Sequence, residues 1–201
     1  MPNGTPEPSH PEPPLLILGG TFDPPHIGHL VLAECARAQL GATRVVFIPA
    51  GDPYRKSDRD VSSAQQRLAM LRLAVADNPA FAIDEREVRR DGPTYTVDTL
   101  EELRAEGHRH IVLVLGADAV ADMPHWKQPE RIRELATLAV APQDQQQPAP
   151  PWHLIVDMPP LSISSSLIRL RVAAGKPIRY LVPDSVARYV AEHGLYRPSP
   201  Q

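Results

Sequence analysis

One strand-to-helix junction constrains this chain more than any other feature. Leu15-Leu16-Ile17-Leu18 is a short unbroken apolar run and reads as a buried strand. Leu30 to Leu40 carries apolar residues at helical spacing and reads as a helix. Between them stands Gly19-Gly20-Thr21-Phe22-Asp23-Pro24-Pro25-His26-Ile27-Gly28-His29. In open α/β sheets, ligands bind where a strand hands over to a helix in this way. The start of a helix offers unpaired N–H groups and the positive end of a dipole, which suits an anion. His26 and His29 are three apart, a spacing that would put them on one helix face. Each part also has an ordinary structural reading. Paired glycines after a strand are common turn residues, and a single histidine near a helix start more often serves the fold. The combination is what predicts a phosphate site.

The rest of the chain alternates in the same manner. Strands are expected at Arg44–Ile48, Ala80–Ile83, Ile111–Leu115, Leu138–Ala141 and His153–Val156. Helices are expected at Ser62–Ala76, Thr96–Ala105, Pro129–Leu135, Ser165–Ala173 and Pro183–His193. Thr96 is read as an N-cap, with Tyr95 and Leu100 placed to form a hydrophobic staple. This alternation predicts an α/β fold, a parallel sheet with helices on both faces, in a single domain over residues 15–196. Residues 1–14 are proline-rich and polar and are expected to be a disordered tail, as are residues 197–201. The stretch from Pro142 to Pro151 reads as a loop.

Composition narrows the function. The net charge of −3 gives no global pull toward nucleic acid or an anionic membrane, so neither is an expected partner. Any polyanionic ligand must be held by local basic groups. The single cysteine, Cys35, excludes an intrachain disulfide and fits a reducing compartment. It falls within the first helix, where a small buried apolar role is expected. Neither a membrane-spanning run nor a signal peptide is apparent, and a cytoplasmic location is expected.

Other constellations carry chemistry less sharply. Ser164-Ser165-Ser166 suits a helix start, and Arg169 lies one turn on, able to reach the same anion with a planar guanidinium. A serine cap with a surface arginine is also commonplace. Thr94-Tyr95-Thr96-Val97-Asp98 opens a helix that could bind a carboxylate through its N–H groups, or could simply be capped and charge-balanced. Gly116-Ala117-Asp118 follows the strongest strand, where glycine allows close backbone approach and a carboxylate can accept from a ribose hydroxyl. An ordinary turn and cap is the alternative. Trp126 could stack on a flat heterocycle, or be core. Arg55 and Lys56, in the loop after the second strand, could close over a phosphate site or lie in solvent. The Gly-x-x-x-x-Gly-Lys-Ser/Thr and Gly-x-Gly-x-x-Gly loops and zinc-type Cys/His spacing are absent.

With these residues laid out, the chain resembles the bacterial nicotinate-mononucleotide adenylyltransferases, from about Leu15 to Tyr196. These are nucleotidyltransferases with a His-x-Gly-His motif and a Rossmann-like, doubly wound fold. Gly19–His29 and Ile163-Ser-Ser-Ser-Leu-Ile-Arg169 carry the superfamily resemblance. Pro93-Thr-Tyr-Thr-Val-Asp-Thr-Leu100, Gly116-Ala-Asp118, Tyr180-Leu-Val-Pro183 and His193-Gly-Leu-Tyr196 point to the nicotinate branch. A pantetheine-phosphate adenylyltransferase is expected to lack the Tyr-Thr-x-Asp-Thr-Leu segment. Two departures stand out. The family often has Pro-Pro-His-Lys where this chain has Asp52-Pro-Tyr-Arg-Lys56, and a basic turn where it has Ala141-Pro-Gln-Asp-Gln145. Contacts from that histidine and that turn are not carried over.

The resemblance implies transfer of the adenylyl group of ATP to nicotinate mononucleotide, releasing pyrophosphate, with Mg²⁺ bound through the ATP phosphates. It implies that His26, His29 and Arg169 act on the triphosphate, with Ser164, Ser165 and Lys56 beside them. Gly19, Gly20, Thr21 and Phe22 would line the nucleotide site with their backbone, and Gly116 and Asp118 would approach a ribose. Thr94, Tyr95, Thr96 and Trp126 would hold the pyridine end. Homo-oligomer formation stays open, as does an alternative acceptor for the same phosphate chemistry. A nucleotide-binding module without turnover is the reading from a different class.

Overall fold

The structure is a computed structural model that describes residues 13–53, 61–141 and 153–198. Residues 1–12 and 199–201 of the expected tails lie outside these residues, as do Arg55, Lys56 and the stretch from Pro142 to Pro151. Six strands form one parallel sheet in the order β3-β2-β1-β4-β5-β6. They are β1 (Leu15–Gly20), β2 (Val45–Pro49), β3 (Phe81–Ile83), β4 (Ile111–Gly116), β5 (Thr137–Ala141) and β6 (His153–Ile155). The helices are α1 (Ile27–Gln39), α2 (Ala64–Val75), α3 (Arg86–Arg89), α4 (Thr96–Ala105), α5 (Ala117–Asp122), α6 (Pro129–Leu135), α7 (Ser165–Ala173) and α8 (Asp184–Glu192). A 3₁₀ turn follows α5 at Met123–His125.

The alternation of side chains sorts each central strand between two cores. Leu16, Leu18, Val45, Phe47, Val112, Val114 and Ala139 face one side, against Leu32, Ala33 and Ala36 of α1. Ile17, Ile48, Ile111, Leu113, Leu115, Leu138 and Val140 face the other, against Val97, Leu100 and Leu103 of α4 and Ile132 and Leu135 of α6. A ten-residue helix such as α4 is marginal in isolation. Burying three apolar side chains contributes about 2 kcal/mol each, so packing on the sheet decides its existence. A third cluster joins α2, α7 and α8 through Met70, Ile168, Val186 and Val190. Cys35 is partly buried and packs against the first core, in the apolar role expected of it. Among the described residues, no helix is long and apolar enough to cross a membrane.

Local chemistry sets the boundaries. Ser63 caps α2 by a reciprocal box, its Oγ accepting from the Gln66 N–H at 3.2 Å while Gln66 Oε1 accepts from the Ser63 N–H at 3.0 Å. The expected cap of α4 is displaced by one residue. Tyr95 is the N-cap and Thr96 is already helical. The reason is that Thr94 is held outside the helix: its N–H donates to the Asp52 carbonyl at 3.0 Å and its hydroxyl to the same oxygen at 3.3 Å. The proposed staple is therefore out of phase, although Tyr95 still packs against the core that contains Leu100. Helices α3 and α5 were not expected from the sequence.

The strand order reverses direction between β1 and β4, which makes their carboxyl ends the switch point of the sheet. Register pairs Leu18 with Val114, so Gly20 and Gly116 both lie two residues further on, at the same end of adjacent strands. Arg67 braces the loops above this end. It is 1 % exposed, and its guanidinium donates to four carbonyls: Ser62 at 3.0 Å, Thr21 at 2.9 Å, Ala50 at 2.6 Å and Gly51 at 2.6 Å. Substituting Arg67→Met preserves much of the apolar stem but strands those buried acceptors. The expected loss is about 3 kcal/mol of unfolding free energy. Urea unfolding of the two proteins checks this, and a midpoint that does not move removes Arg67 as the brace.

Candidate active site

His26 is not on the helix with His29. It is the N-cap of α1, with extended backbone (φ −142°, ψ 169°), and Ile27 is the first helical residue. Spacing alone would have put both rings on one helical face; instead a hydrogen bond brings them together. The His26 N–H donates to His29 Nδ1 at 3.1 Å, the part a Glu or Gln plays in a capping box. The rings stack with centroids 3.6 Å apart and planes inclined by 26°. Because Nδ1 accepts, the His29 proton resides on Nε2. The buried ring of Phe22 meets His29 edge-on, with centroids 5.0 Å apart.

The helix start is less open than its sequence suggests. The Ile27 N–H donates to the Leu181 carbonyl and the His29 N–H to the His26 carbonyl, both at 3.0 Å. Part of the expected donor set is thus used by the protein, and the imidazoles become the more distinctive donors. His26 is 7 % exposed, and its Nδ1 is buried without a hydrogen-bond partner among the described residues. Burial lowers its pKa from 6.5 to about 4, because the imidazolium would lose its solvation. The ring is therefore neutral at pH 7. It lies against Gly28, where a β-carbon would come within 3.1 Å of Nδ1. That close approach explains the glycine between the histidines.

The serine–arginine constellation reaches the same turn from the far end of the chain. Ser164 is the N-cap of α7, its Oγ accepting from the Leu167 N–H at 3.1 Å. Ser165 Oγ donates to the Pro24 carbonyl at 2.9 Å. Arg169 Nη1 donates to the Asp23 carbonyl at 2.8 Å and Nη2 to Ser166 Oγ at 3.1 Å. So His26, His29, Ser164, Ser165 and Arg169 are brought to one place, at the carboxyl end of β1. Gly19 and Gly20 close β1, and the Thr21 carbonyl is held by Arg67. Gly116 closes β4 and caps α5, and Asp118 is exposed in the first turn of that helix.

The second group of expected residues lies around the start of α4. Asp52, in the loop after β2, bridges to Pro93, and Thr94 next to Pro93 is buried. Glu87 of α3, also buried, accepts from Thr99 Oγ1 at 2.6 Å, and burial raises its carboxyl pKa. A side chain at Gly51 would run into the Glu87 backbone, so that position demands glycine. Trp126 is partly buried, and its Nε1 donates to Asp122 Oδ2 at 3.2 Å. Lys127 Nζ lies 4.5 Å from the Tyr95 ring centroid and 2.9 Å from Asp98 Oδ1, linking the Trp126 segment to α4.

Sequence reasoning missed four residues that shape this site: Arg67, Asp23, Lys127 and Tyr196. Arg67 left a signal, since it shares the apolar stripe of α2 with Met70 and Leu71, both fully buried. Asp23 and Tyr196 stand inside runs that the sequence singles out, but nothing local shows that they bond each other across 173 residues, and Lys127 left no signal. Among the described residues, no group of three or more His, Cys, Asp or Glu side chains could hold a metal ion.

Comparison with known proteins follows the same lines. Residues 17–171 match the cytidylyltransferase-like family. A protein of Roseiflexus sp. strain RS-1, named "Probable nicotinate-nucleotide adenylyltransferase", is 46 % identical over 92 % of this chain and 98 % of its own length. A protein of the same name from Thermomicrobium roseum is 47 % identical over 90 % of each chain. The solved structure of Plasmodium falciparum nicotinic acid mononucleotide adenylyltransferase, complexed with NaAD, superimposes with a TM-score of 0.76 at 18 % identity. It covers 90 % of this chain and 96 % of that one, a likeness of fold. The chain belongs to the cytidylyltransferase-like family and, within it, to the nicotinate-nucleotide adenylyltransferases.

Proposed function

We propose that this protein transfers the adenylyl group of ATP to nicotinate mononucleotide, giving nicotinate adenine dinucleotide and pyrophosphate. Its nucleotidyltransferase class follows from the family it belongs to. The observation that carries the reading is the stacked histidine pair at the switch point of the sheet, within a chain so similar to adenylyltransferases over nearly its full length.

In the reaction, an oxygen of the mononucleotide phosphate forms a bond to the α-phosphorus of ATP. The bond from that phosphorus to the bridging oxygen of the β-phosphate breaks, and the electron pair leaves with pyrophosphate. The attacking phosphate is already ionised at pH 7, so no general base is required. The work left for the protein is positioning and charge stabilisation. His29 Nε2–H is assigned to the α-phosphate, where negative charge crowds in the transition state. His26 and Arg169 are assigned to the β- and γ-phosphates, with Ser164 and Ser165 at the start of α7, and Lys56 completes this group. The backbone of Gly19, Gly20, Thr21 and Phe22 lines the nucleotide, and Gly116 and Asp118 approach its ribose.

Magnesium enters as part of the substrate, on the triphosphate. The donor set supports this: neutral imidazole, guanidinium and hydroxyl groups suit phosphate oxygens, and the Asp23 carboxylate is engaged by Tyr196 and Ser62. Thr94, Tyr95, Thr96 and Trp126 are assigned to the pyridine end of the acceptor. Trp126 and Tyr95 offer aromatic surface there, and the Thr94 contacts to Asp52 hold the α4 entry against the loop after β2.

Pyrophosphate release in the presence of ATP and Mg²⁺ tests the reaction. Turnover is expected with nicotinate mononucleotide and little with nicotinamide mononucleotide. ATP binding without turnover of either would move the search to another acceptor or to a non-catalytic role. His29→Ala is expected to lower kcat by about a hundredfold or more while the unfolding midpoint is retained. Near-normal turnover would remove His29 from the mechanism. The buried neutral His26 also links stability to pH. Its folded pKa of about 4 lies below the unfolded value of 6.5, so its stabilising contribution is full above pH 6.5. That contribution is lost as pH falls toward 4. The melting temperature of the wild type should therefore drop more between pH 7 and pH 4 than that of His26→Asn. Equal drops would contradict the burial of a neutral ring.

A further inference from the structure

Asp23 is a carboxylate with only 3 % of its surface exposed, on the turn that leads to His26. That turn is conformationally demanding, because Phe22 before it has φ of 52°, a region non-glycine residues rarely occupy. Such a backbone persists only where its surroundings over-determine it. Three elements supply the restraint at Asp23. Its carbonyl accepts from Arg169 of α7 at 2.8 Å. One side-chain oxygen accepts from the Ser62 N–H, just before α2, at 3.4 Å. The other accepts from the Tyr196 hydroxyl at 2.7 Å, across 173 residues of chain. Tyr196 arrives there because α8 ends in a reversal, with Gly194 at φ 60° and Tyr196 itself at φ 63°. Its ring packs beside the core formed by α2, α7 and α8. Burial and the Asp23 charge push the phenol pKa far up, so the hydroxyl remains a donor. A hydroxyl donating to a buried carboxylate is among the stronger hydrogen bonds a protein makes.

We propose that Tyr196 is a positioning residue for the nucleotide site. Through Asp23, its hydroxyl holds the turn that carries His26 and seats Arg169. This rests on the reading of the site given above and extends it to the carboxyl-terminal segment. Phosphate contacts depend on where the turn stands, and the turn depends on a bond closed by nearly the last described residue.

The test compares Mg²⁺ with a non-hydrolysable ATP analogue binding to wild type, Tyr196→Phe, Asp23→Asn and the double variant, by calorimetry. Val190→Ala serves as the control, since it loosens the packing of α8 without touching Asp23. Tyr196→Phe keeps the ring and removes only the hydroxyl, and is expected to weaken analogue binding about tenfold. The double variant is expected to bind no more weakly than Asp23→Asn alone. Val190→Ala is expected to lower the unfolding midpoint more than Tyr196→Phe does, with affinity unchanged within about twofold. The proposal is overturned by an unchanged affinity in Tyr196→Phe, by additive losses in the double variant, or by an equal loss in Val190→Ala. A wild type that binds the analogue but turns over no nicotinate mononucleotide would sink the proposed reaction and leave this inference standing. A wild type that binds no analogue would sink both.

Discussion

The guanidinium of Arg67 is the interaction on which the rest of the site depends. At the carboxyl end of a parallel sheet the chain leaves the hydrogen-bond ladder, and its carbonyls lose their partners. Here the loops after β1 and β2 turn such carbonyls inward, at Thr21, Ala50 and Gly51. Each would cost on the order of 1–3 kcal/mol if buried unpaired. Arginine answers all of them from one planar group, and adds the Ser62 carbonyl through Nε. Lysine, with one nitrogen, lacks that reach. Desolvation lowers the pKa of Arg67, opposed first by the nearby Asp23 charge. The same Asp23 takes the Tyr196 hydroxyl and the Ser62 N–H. The turn before the histidines is therefore held by a polar network as well as by the apolar core, and that network is worth its cost only when every member is satisfied.

Rigid and irregular parts divide the work cleanly. The strands below the site are fixed by two apolar cores, one on each face, and they set the spacing between the ends of β1 and β4. The loops above carry the functional groups. At the switch point, α1 packs on one face of the sheet and α4 and α6 on the other, the arrangement in which open α/β sheets bind ligands between their loops. The turn before His26 is held by buried Arg67, through the Thr21 carbonyl, and by α7, through Ser165 and Arg169. Ser165 and Arg169, both expected to touch phosphate, thus also hold the backbone of Pro24 and Asp23, which fixes them before any ligand arrives.

What was legible in the sequence had a local cause. Apolar runs of four or five residues marked the central strands to within a residue or two. Pro129 and the triple serine marked the starts of α6 and α7, where proline and hydroxyl residues suit a first turn. The histidine pair stood out because its residues and their order are chemically unusual, whereas Arg169 after three serines is a commonplace run that only the family resemblance singled out. The remainder depends on partners far away. α3 is four residues, Arg-Glu-Val-Arg, without an apolar period, and exists around the buried Glu87. α5 follows a glycine cap, carries an aspartate in its first turn and reads equally as a turn. Thr96 looked like a cap because threonine often is one, but the anchoring of Thr94 to Asp52 passes the cap to Tyr95. Tyr196 appears in the sequence as part of a family signature, and nothing local reveals that its hydroxyl reaches Asp23.

Phe22 shows how side-chain burial can set a backbone that propensity would refuse. A left-handed conformation costs a non-glycine residue on the order of 1 kcal/mol. Glycine would avoid that cost, and two glycines stand immediately before Thr21. A ring that is 2 % exposed recovers about 2 kcal/mol or more by leaving water. It does so between Phe47 of β2, with centroids 5.9 Å apart, and His29 of α1. The ring also lies against Gly20, where a β-carbon would come within 3.0 Å of it. Gly20 is therefore small because Phe22 is large, and Phe22 is large because it must wedge the turn against strand and helix at once. The sharp turn that results delivers His26 onto His29. Gly20 and Phe22 are thus one mechanical unit, in which each residue type follows from the other's, and it sets the turn from which His26 stacks on His29.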